Sequence, residues 1–180
     1  MLDYVVVKIN TTGMDLISDR ITEVVLIHMN DNETLEVYQQ LLNPDIEITK
    51  FVENITGVTN DMVKSAPYIN EVADKIISFI GNKPIVGHNI NFDLSFLEQE
   101  LNFKFPVKVM DTLRMSKAVL KYTDVQNFRL NTLCEHFDID DTHERALKSA
   151  FMIQKLFMRL IPLVAEKKRL LDEANSQKSI

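Results

Sequence analysis

The sequence holds few of the features that cross-link a chain or carry it to a membrane. Cys134 is its single cysteine, so the 180 residues cannot form an internal disulfide. Because Cys134 follows Leu133 in an apolar run, it is interpreted as a buried structural thiol rather than a nucleophile. No apolar run approaches the ~18 residues that span a bilayer, so no membrane partner is expected. The N-terminal segment has no basic region and no cleavage-site pattern, which argues against a signal peptide. These features fit a reducing cytoplasm.

The sequence also has fewer basic than acidic residues. Lysine and arginine together number 20 against 26 aspartates and glutamates, for a formal net charge of −6. Proteins that bind nucleic acid mainly through electrostatic attraction are usually basic. The composition therefore weakens the interpretation of the chain as a general DNA-binding protein, although a local binding site remains compatible with it.

Three β-branched runs in the first quarter of the chain predict strands. They cover residues 4–9, 21–29 and 34–42, and the third shows partial alternation of apolar and polar residues. Residues 30–32 read Asn-Asp-Asn and are typical of a hairpin turn between the second and third runs. The sequence thus predicts a three-stranded antiparallel meander.

Helical spacing of apolar residues dominates the rest of the chain. Helices are predicted over residues 70–80, 91–101 with Asn91 as N-cap, after Asp111 as N-cap, over 129–137, and from about residue 144. Short strands are predicted at 83–87 and 107–110. The last helix carries a stripe of apolar residues facing the core, and Pro162 is expected to interrupt it. Strands followed by alternating helices and strands predict a mixed α/β domain with one central sheet. Residues 1–161 form this domain, and residues 162–180 form a helical tail that belongs to it.

Three blocks carry the motifs. The first reads VVVKINTTG at residues 5–13 and continues as DRITEV at 19–24. The second is IVGHNINFDLSFL at 85–97, and the third is RLNTLC at 129–134 followed by ERALKSA at 144–150. A further segment runs from ITGVT at 55–59 to Ala66-Pro67.

These blocks resemble the signature motifs of the DnaQ-like DEDDh 3′–5′ exonuclease family. The family patterns are Asp-x-Glu-Thr-Thr-Gly with Arg-Ile-x-Glu, His-Asn-x-x-Phe-Asp-x-x-Phe-Leu, and His-Arg-Ala-Leu-x-Asp-Ala. The segment from ITGVT to Ala66-Pro67 is similar to the family's linker after the third strand. The resemblance covers roughly residues 3–160. It implies an RNase H-like fold, which periodicity alone does not distinguish from other α/β layers. It also implies a chemistry in which two Mg²⁺ or Mn²⁺ ions, held by four carboxylates, activate a water beside a histidine base.

Most of the family's catalytic positions are substituted in this chain. The first aspartate falls on Lys8, the glutamate on Asn10, the histidine on Glu144 and the last aspartate on Ser149, whereas the second-block aspartate is retained as Asp93. Lys8 and Asn10 are two residues apart on a predicted strand and so share a face. The matched positions carry a formal charge of −1 instead of four negative charges. The resemblance implies Mg²⁺ or Mn²⁺, but with Asp93 as the only retained ligand position we expect neither ion to be held tightly.

The predicted function is that of a catalytically inactive or strongly impaired exonuclease-fold protein. It is expected either to bind the 3′ end of a single-stranded nucleic acid or to serve as a scaffold for a polymerase or another protein. The resemblance assigns nucleic-acid contacts to five positions in two motifs, namely Thr11, Thr12, Gly13, His88 and Asn89. Lys8 is also a candidate to bind a phosphate group in place of a metal ion.

Several alternatives remain open. An active enzyme could hold one metal ion with Asp93 and Glu144, helped by Asp19 or Glu23. A loop shift could bring His143 into the site. Purely structural roles are also open for these residues. Asp93 would stabilise a helix N-terminus, and His88 and Asn89 would end a strand. Asp141 and Glu144 would form a capping box. An unrelated metabolic or regulatory α/β domain is the remaining possibility.

Overall fold

A five-stranded mixed sheet forms the centre of the molecule. The structure, a computed structural model, describes residues 2–31 and 33–177. The strands are β1 (Asp3–Thr11), β2 (Ile21–Asn30), β3 (Glu33–Leu41), β4 (Ile85–Gly87) and β5 (Val109–Asp111), in the order β3-β2-β1-β4-β5. Strands β1, β2 and β3 pair antiparallel, whereas β4 and β5 run parallel to β1. The predicted meander and mixed α/β class are confirmed. Asp31 of the predicted hairpin turn has a left-handed backbone, and Asn32 lies outside the described residues.

Helices cover both faces of the sheet. They are α1 (Lys50–Thr56), α2 (Asn60–Val63), α3 (Ile69–Ile80), α4 (Ile90–Glu100), α5 (Thr112–Val119), α6 (Leu130–His136) and α7 (Arg145–Gln177). Odd-numbered residues of β1, such as Val5 and Val7, pack with α3 and α4. Even-numbered residues, such as Tyr4 and Val6, pack against the apolar stripe of α7. Because side chains alternate along a strand, this division places Lys8 and Asn10 on the α7 face.

Two local predictions are wrong, and two short helices were not predicted. Residues 50–63 form α1 and α2, which Thr49 and Thr59 cap by accepting hydrogen bonds from the Val52 and Met62 N–H groups. Helix α4 starts after Asn89, whose left-handed backbone turns the chain, so Asn91 lies inside the helix. Pro162 does not interrupt α7. The residues before it are packed on the sheet, and the missing amide removes one backbone hydrogen bond without ending the helix.

Other local predictions are confirmed. Asp111 caps α5 by accepting a hydrogen bond from the Leu113 N–H. Cys134 is buried, and burial raises the pKa of its thiol to about 11. The division of the domain at residue 161 falls inside α7 and stays a prediction. Within the described residues, no helix is long and apolar enough to cross a membrane.

Candidate functional site

The site forms where β1, α4 and α7 meet. Lys8 and Asn10 lie near the end of β1 on the face covered by α7. Asp93 lies in the first turn of α4, which begins directly after the motif residues His88 and Asn89. The structure therefore brings Lys8 and Asp93 together, as the motif order predicted.

Lys8 and Asp93 form an ion pair. The Lys8 Nζ lies 3.1 Å from Asp93 Oδ1, and the two side chains are 24% and 3% exposed. The same oxygen accepts a hydrogen bond of 2.9 Å from the Ile9 backbone N–H. Burial raises the pKa of the Asp93 carboxyl, while the Lys8 ammonium and the Ile9 N–H act in the opposite direction. Asp93 is thus committed to partners within the chain.

Asn10 belongs to a second polar cluster, centred on the fully buried Glu23. Its Nδ2 donates to Glu23 Oε2 over 2.9 Å, and Gln39 Nε2 donates to Glu23 Oε1 over 2.7 Å. The Arg145 guanidinium and the Ala146 N–H also donate to this carboxylate, over 3.3 and 3.4 Å. A buried carboxylate needs such partners. Asn10 therefore ties β1 to the β2–α7 junction through one N–H of its side-chain amide.

The third block contributes one position to the site and leaves another in solvent. Ser149 lines a cavity together with Lys8. Glu144 precedes α7, and its side chain is 86% exposed, 3.9 Å from the Arg145 guanidinium. The predicted capping box of Asp141 and Glu144 is wrong. Helix α7 begins too late for it, and Asp141 Oδ1 instead accepts from the His143 N–H over 3.0 Å.

His143 does not line the cavity that contains Lys8 and Ser149. Its Nδ1 lies 2.5 Å from Asp141 Oδ1, and its ring stacks on Phe151 with centroids 4.5 Å apart. Asp141 also binds Lys155 over 2.8 Å. The loop shift that would place His143 in the site would have to break these contacts.

His88 lines the cavity but has both ring nitrogens engaged. Its Nε2 donates to the Phe128 carbonyl over 3.0 Å, and its Nδ1 lies 2.9 Å from the Thr112 hydroxyl. Burial lowers the pKa of His88, which keeps the ring neutral near pH 7. Asn89 is exposed, and its N–H donates to Asp111 Oδ1. Both residues organise the end of β4, and a contact of either with nucleic acid stays a prediction.

The Thr11-Thr12-Gly13 segment is held closed by its own hydrogen bonds. The Thr11 hydroxyl donates to the Gly13 carbonyl over 2.5 Å, and the Thr12 hydroxyl donates to Asp19 Oδ1 over 2.9 Å. The Asp19 carboxylate fills the place where a side chain at position 13 would begin, so any residue other than glycine there would have to displace Asp19. These hydroxyls are engaged inside the loop, and their predicted role in receiving a 3′ end stays a prediction.

The residues present do not fit a two-metal centre. The Lys8 ammonium donates a hydrogen bond to the Asp93 carboxylate, and the Asn10 amide donates one to Glu23. The Asp19 carboxylate accepts one from the Thr12 hydroxyl. Within residues 2–31 and 33–177, no three histidine, cysteine, aspartate or glutamate side chains converge in a way that could hold a metal ion. Divalent Mg²⁺ and Mn²⁺ require several oxygen ligands and net negative charge.

The sequence interpretation missed the residues that complete the cavity. Beside Lys8, His88 and Ser149, a cavity of about 440 Å³ is lined by Asn127, Arg129, Asn131 and Thr132 from the start of α6 and the loop before it. In the sequence, Arg129 was assigned to the start of a helix and to the third motif block, without a role in binding. Its basic charge within that block is the signal that could have indicated this role.

Comparison with known proteins agrees with this fold and motif order. Residues 6–157 match the exonuclease family (RNase_T). The chain is 33% identical over 168 residues to a PolC-type DNA polymerase III of Caldanaerobacter subterraneus, covering 91% of the chain and 12% of that protein. It is 34% identical over 162 residues to the 3′–5′ exonuclease DinG of Staphylococcus epidermidis, covering 87% of the chain and 18% of that protein. The chain thus spans less than a fifth of these relatives.

Solved structures show the same architecture. The nuclease domain of 3′hExo, a DEDDh family member bound to rAMP, superposes with a TM-score of 0.73 and 18% identity, covering 89% of this chain and 92% of that one. Exonuclease X in complex with 5′ overhanging duplex DNA superposes with a TM-score of 0.71 and 20% identity, covering 90% and 92%. The fold is RNase H-like, as predicted, which rules out an unrelated α/β domain. The chain belongs to the exonuclease (RNase_T) family, among the DnaQ-like 3′–5′ exonuclease domains.

Proposed function

We propose that this chain is an exonuclease-fold module that does not hydrolyse nucleic acid and instead binds the 3′ end of a single strand. The observation that carries the proposal is the ion pair between Lys8 and Asp93. It neutralises the one carboxylate that survives from the family's ligand set. Fold membership alone does not decide activity, because catalysis depends on the residues of the site.

The sign of the local charge opposes metal binding. A unit charge about 4 Å from a divalent ion interacts with it by about 8 kcal/mol at an effective dielectric of 20. Because the Lys8 ammonium lies 3.1 Å from Asp93, a cation bound at that carboxylate would meet this repulsion. Glu144, the other acidic residue at a family position, is directed to solvent. The site therefore favours anions over Mg²⁺ or Mn²⁺.

The site also offers no histidine as a general base. Glu144 stands at the family's histidine position, and the Nε2–H of His88 forms a hydrogen bond with the Phe128 carbonyl. His143 is held by Asp141 and Phe151. A base must reach the proton that it removes, directly or through one water. Neither of these histidines meets that condition in the observed arrangement.

A scaffold role is the second candidate, and the relatives favour it. The chain corresponds to a small part of PolC-type polymerases and of DinG. A folded exonuclease module without hydrolytic groups can still dock on a polymerase or another protein. End binding and scaffolding differ in one measurable property, since only the first requires a saturable affinity for oligonucleotides.

Incubation with Mn²⁺ and a 5′-labelled single strand, in DNA and RNA versions, tests the loss of hydrolysis. We expect no shortening by the chain, and the same result for Asp93→Asn, which keeps the side-chain shape while removing the charge. Products are separated on a denaturing gel over a time course.

The comparison with Asp93→Asn separates contamination from activity. Shortening that both proteins show equally comes from a contaminating nuclease and leaves the proposal in place. Shortening by the chain that is absent from Asp93→Asn would establish the alternative of an active enzyme with a rearranged site. Circular dichroism of the variant checks that it is folded. Asp93 and Glu144, with Asp19 or Glu23, would then be the ligands to test.

A further inference from the structure

The cavity beside Lys8 is positively charged in a chain that is negative overall. Lys8 and Arg129 contribute cations, and none of the described residues that line the cavity is acidic. The net charge of the whole chain is −6, so this patch has the opposite sign. A concave site of one charge sign concentrates ligands of the other sign. The cavity is therefore suited to an anion.

Several donors in this cavity have no partner within the chain. Among the residues that the structure describes, no hydrogen bond or ion pair engages the Arg129 guanidinium, the Asn131 amide or the Ser149 hydroxyl. The Asn127 side-chain oxygen accepts from the Arg129 N–H and the Thr132 hydroxyl over 2.9 Å each, which leaves its NH₂ group unbound. Lys8 donates one hydrogen bond to Asp93, and its two other N–H groups are available to a ligand.

A second cavity continues from the first. It shares His88, Asn127 and Arg129 with the first cavity and adds Lys117 and Tyr122. The Tyr122 ring is 75% exposed and meets the buried Phe128 edge to face, with centroids 5.0 Å apart. Lys117 lies in the last turn of α5 and adds a third cation. An exposed aromatic ring beside cations is the arrangement with which proteins hold an unpaired nucleobase and its phosphate.

We propose that the joined cavities bind a phosphate monoester attached to a nucleoside without a metal ion, with the phosphate between Lys8 and Arg129 and the base against Tyr122. This inference rests on the proposed function, because it requires that no metal centre occupies the site. The family uses cations from solution at this place, whereas here the cations are side chains. Arg129 can bind phosphate with two parallel N–H groups, and Ser149 and Asn131 can complete the shell.

The charge of the ligand follows from the charge of the cavity. A phosphate monoester carries about −1.5 to −2 at pH 7, whereas an internal phosphodiester carries one negative charge. Lys8, Arg129 and Lys117 bring three positive charges to the joined cavities, and the Asp93 carboxylate beside Lys8 offsets one of them. The remaining formal charge of +2 matches a dianion better than a monoanion. We therefore expect the chain to distinguish a strand that ends in a 3′-phosphate from one that ends in a 3′-hydroxyl.

Fluorescence anisotropy in EDTA tests this inference with three probes. They are a 5′-labelled single strand ending in 3′-phosphate, the same strand ending in 3′-hydroxyl, and adenosine monophosphate as an unlabelled competitor. We expect the 3′-phosphate strand to bind at least about tenfold more tightly than the 3′-hydroxyl strand, the size of one charge-assisted hydrogen bond. Arg129→Gln and Ser149→Asp should each remove that preference.

Arg159→Gln is the matched control. Arg159 is exposed on α7, lines neither cavity, and its replacement changes the net charge by the same amount as Arg129→Gln. Its binding should equal that of the unmodified chain. Competition by adenosine monophosphate supports the inference and assigns the free nucleotide as one source of the ligand, whereas binding of the 3′-phosphate strand without competition supports it and assigns the strand end.

Equal affinity for both strands, or a preference that survives Arg129→Gln, would overturn the inference. A chain that binds no probe in EDTA would also overturn it. None of these results bears on the absence of hydrolysis, which is measured separately with Mn²⁺. Conversely, shortening of a strand in Mn²⁺ that depends on Asp93 would overturn the proposed function, and with it this inference, because a metal ion would then act at the same site.

Discussion

Lys8→Asp, Asn10→Glu, Glu144→His and Ser149→Asp, combined in one protein, should shorten a 5′-labelled single strand in the presence of Mn²⁺. Together with Asp93 these changes restore four carboxylates and a histidine at the family positions. They replace the Lys8 ammonium beside Asp93, which repels a metal cation, with a carboxylate, which attracts one. A positioned general base alone contributes about 10²–10⁴-fold to a rate. We expect a rate at least about a hundredfold above that of the unmodified chain, measured from the time course of product lengths.

The restored ligand set should also be visible without any cleavage. Four carboxylates close together repel one another in the absence of a cation, so the variant should be less stable than the parent in EDTA. Mn²⁺ at about a hundred times its Kd stabilises the folded state by about 2.7 kcal/mol. For a domain of this size that gain raises Tm by roughly 5–10 °C. The proposed function predicts no such shift for the unmodified chain, because the Lys8 ammonium beside Asp93 would repel the ion.

The position most at risk in this experiment is Asn10. Its amide donates to the buried Glu23, and Asn10→Glu replaces a donor with a second carboxylate next to the first. A protein with the other three changes keeps this hydrogen bond and shows whether a failure comes from unfolding. Adding Asp93→Asn to the fourfold variant should abolish any shortening. A folded fourfold variant that neither binds Mn²⁺ nor cleaves would show that other parts of the chain also prevent catalysis.

The fold was largely predictable because its signals are local. β-Branched runs predicted the three long strands, and spacings of three and four residues predicted α3, α4 and α7. The short helices α1 and α2 were missed because they are 7 and 4 residues long, and their main signals are the capping residues Thr49 and Thr59. The start of α4 was misplaced because Asn89 adopts a left-handed backbone conformation that the sequence pattern does not display.

The site was predictable only where motifs fix it. The matches of Lys8 and Asp93 to motif positions implied that they lie together, and the structure brings them to 3.1 Å. The polar cluster around Glu23 was not foreseen, because its donors Asn10, Gln39 and Arg145 come from three different elements. The same reason hid the second cavity. Tyr122 lies in the loop between α5 and α6, and its place is fixed by packing on Phe128.

Lys8→Met is expected to lower the free energy of unfolding by about 3 kcal/mol, because it leaves the Asp93 carboxylate buried without a counter-ion. The Asp93 side chain is 3% exposed and cannot turn to water. Asp93→Asn should cost less, about 1 kcal/mol, since the amide oxygen can still accept from the Ile9 N–H and Lys8 can turn to solvent. Urea unfolding at constant m-value measures both losses.

The double variant separates the ion pair from the shape of the two side chains. Lys8→Met with Asp93→Asn should be more stable than Lys8→Met alone, because it no longer buries an unpaired charge. Lys50→Met is the matched control. Lys50 also forms an ion pair, with Glu53 at 2.8 Å, but its side chain is 82% exposed, so the urea midpoint should not change. Additive losses in the double variant would mean that Lys8 stabilises the fold by packing alone.

The pH dependence of Lys8→Met supplies an independent check on the same pair. Burial raises the pKa of Asp93 in the folded chain, and removing the Lys8 ammonium takes away the largest opposing influence. A carboxyl whose folded pKa lies above its unfolded value binds more protons when folded, so stability falls as pH rises from the unfolded toward the folded pKa. The loss caused by Lys8→Met should therefore be full near pH 7 and shrink as the pH is lowered through the folded pKa of Asp93. A loss that is independent of pH, or that vanishes only in alkali, would exclude an unpaired Asp93 carboxylate as its cause. It would also remove the ion pair as support for the proposed loss of metal binding.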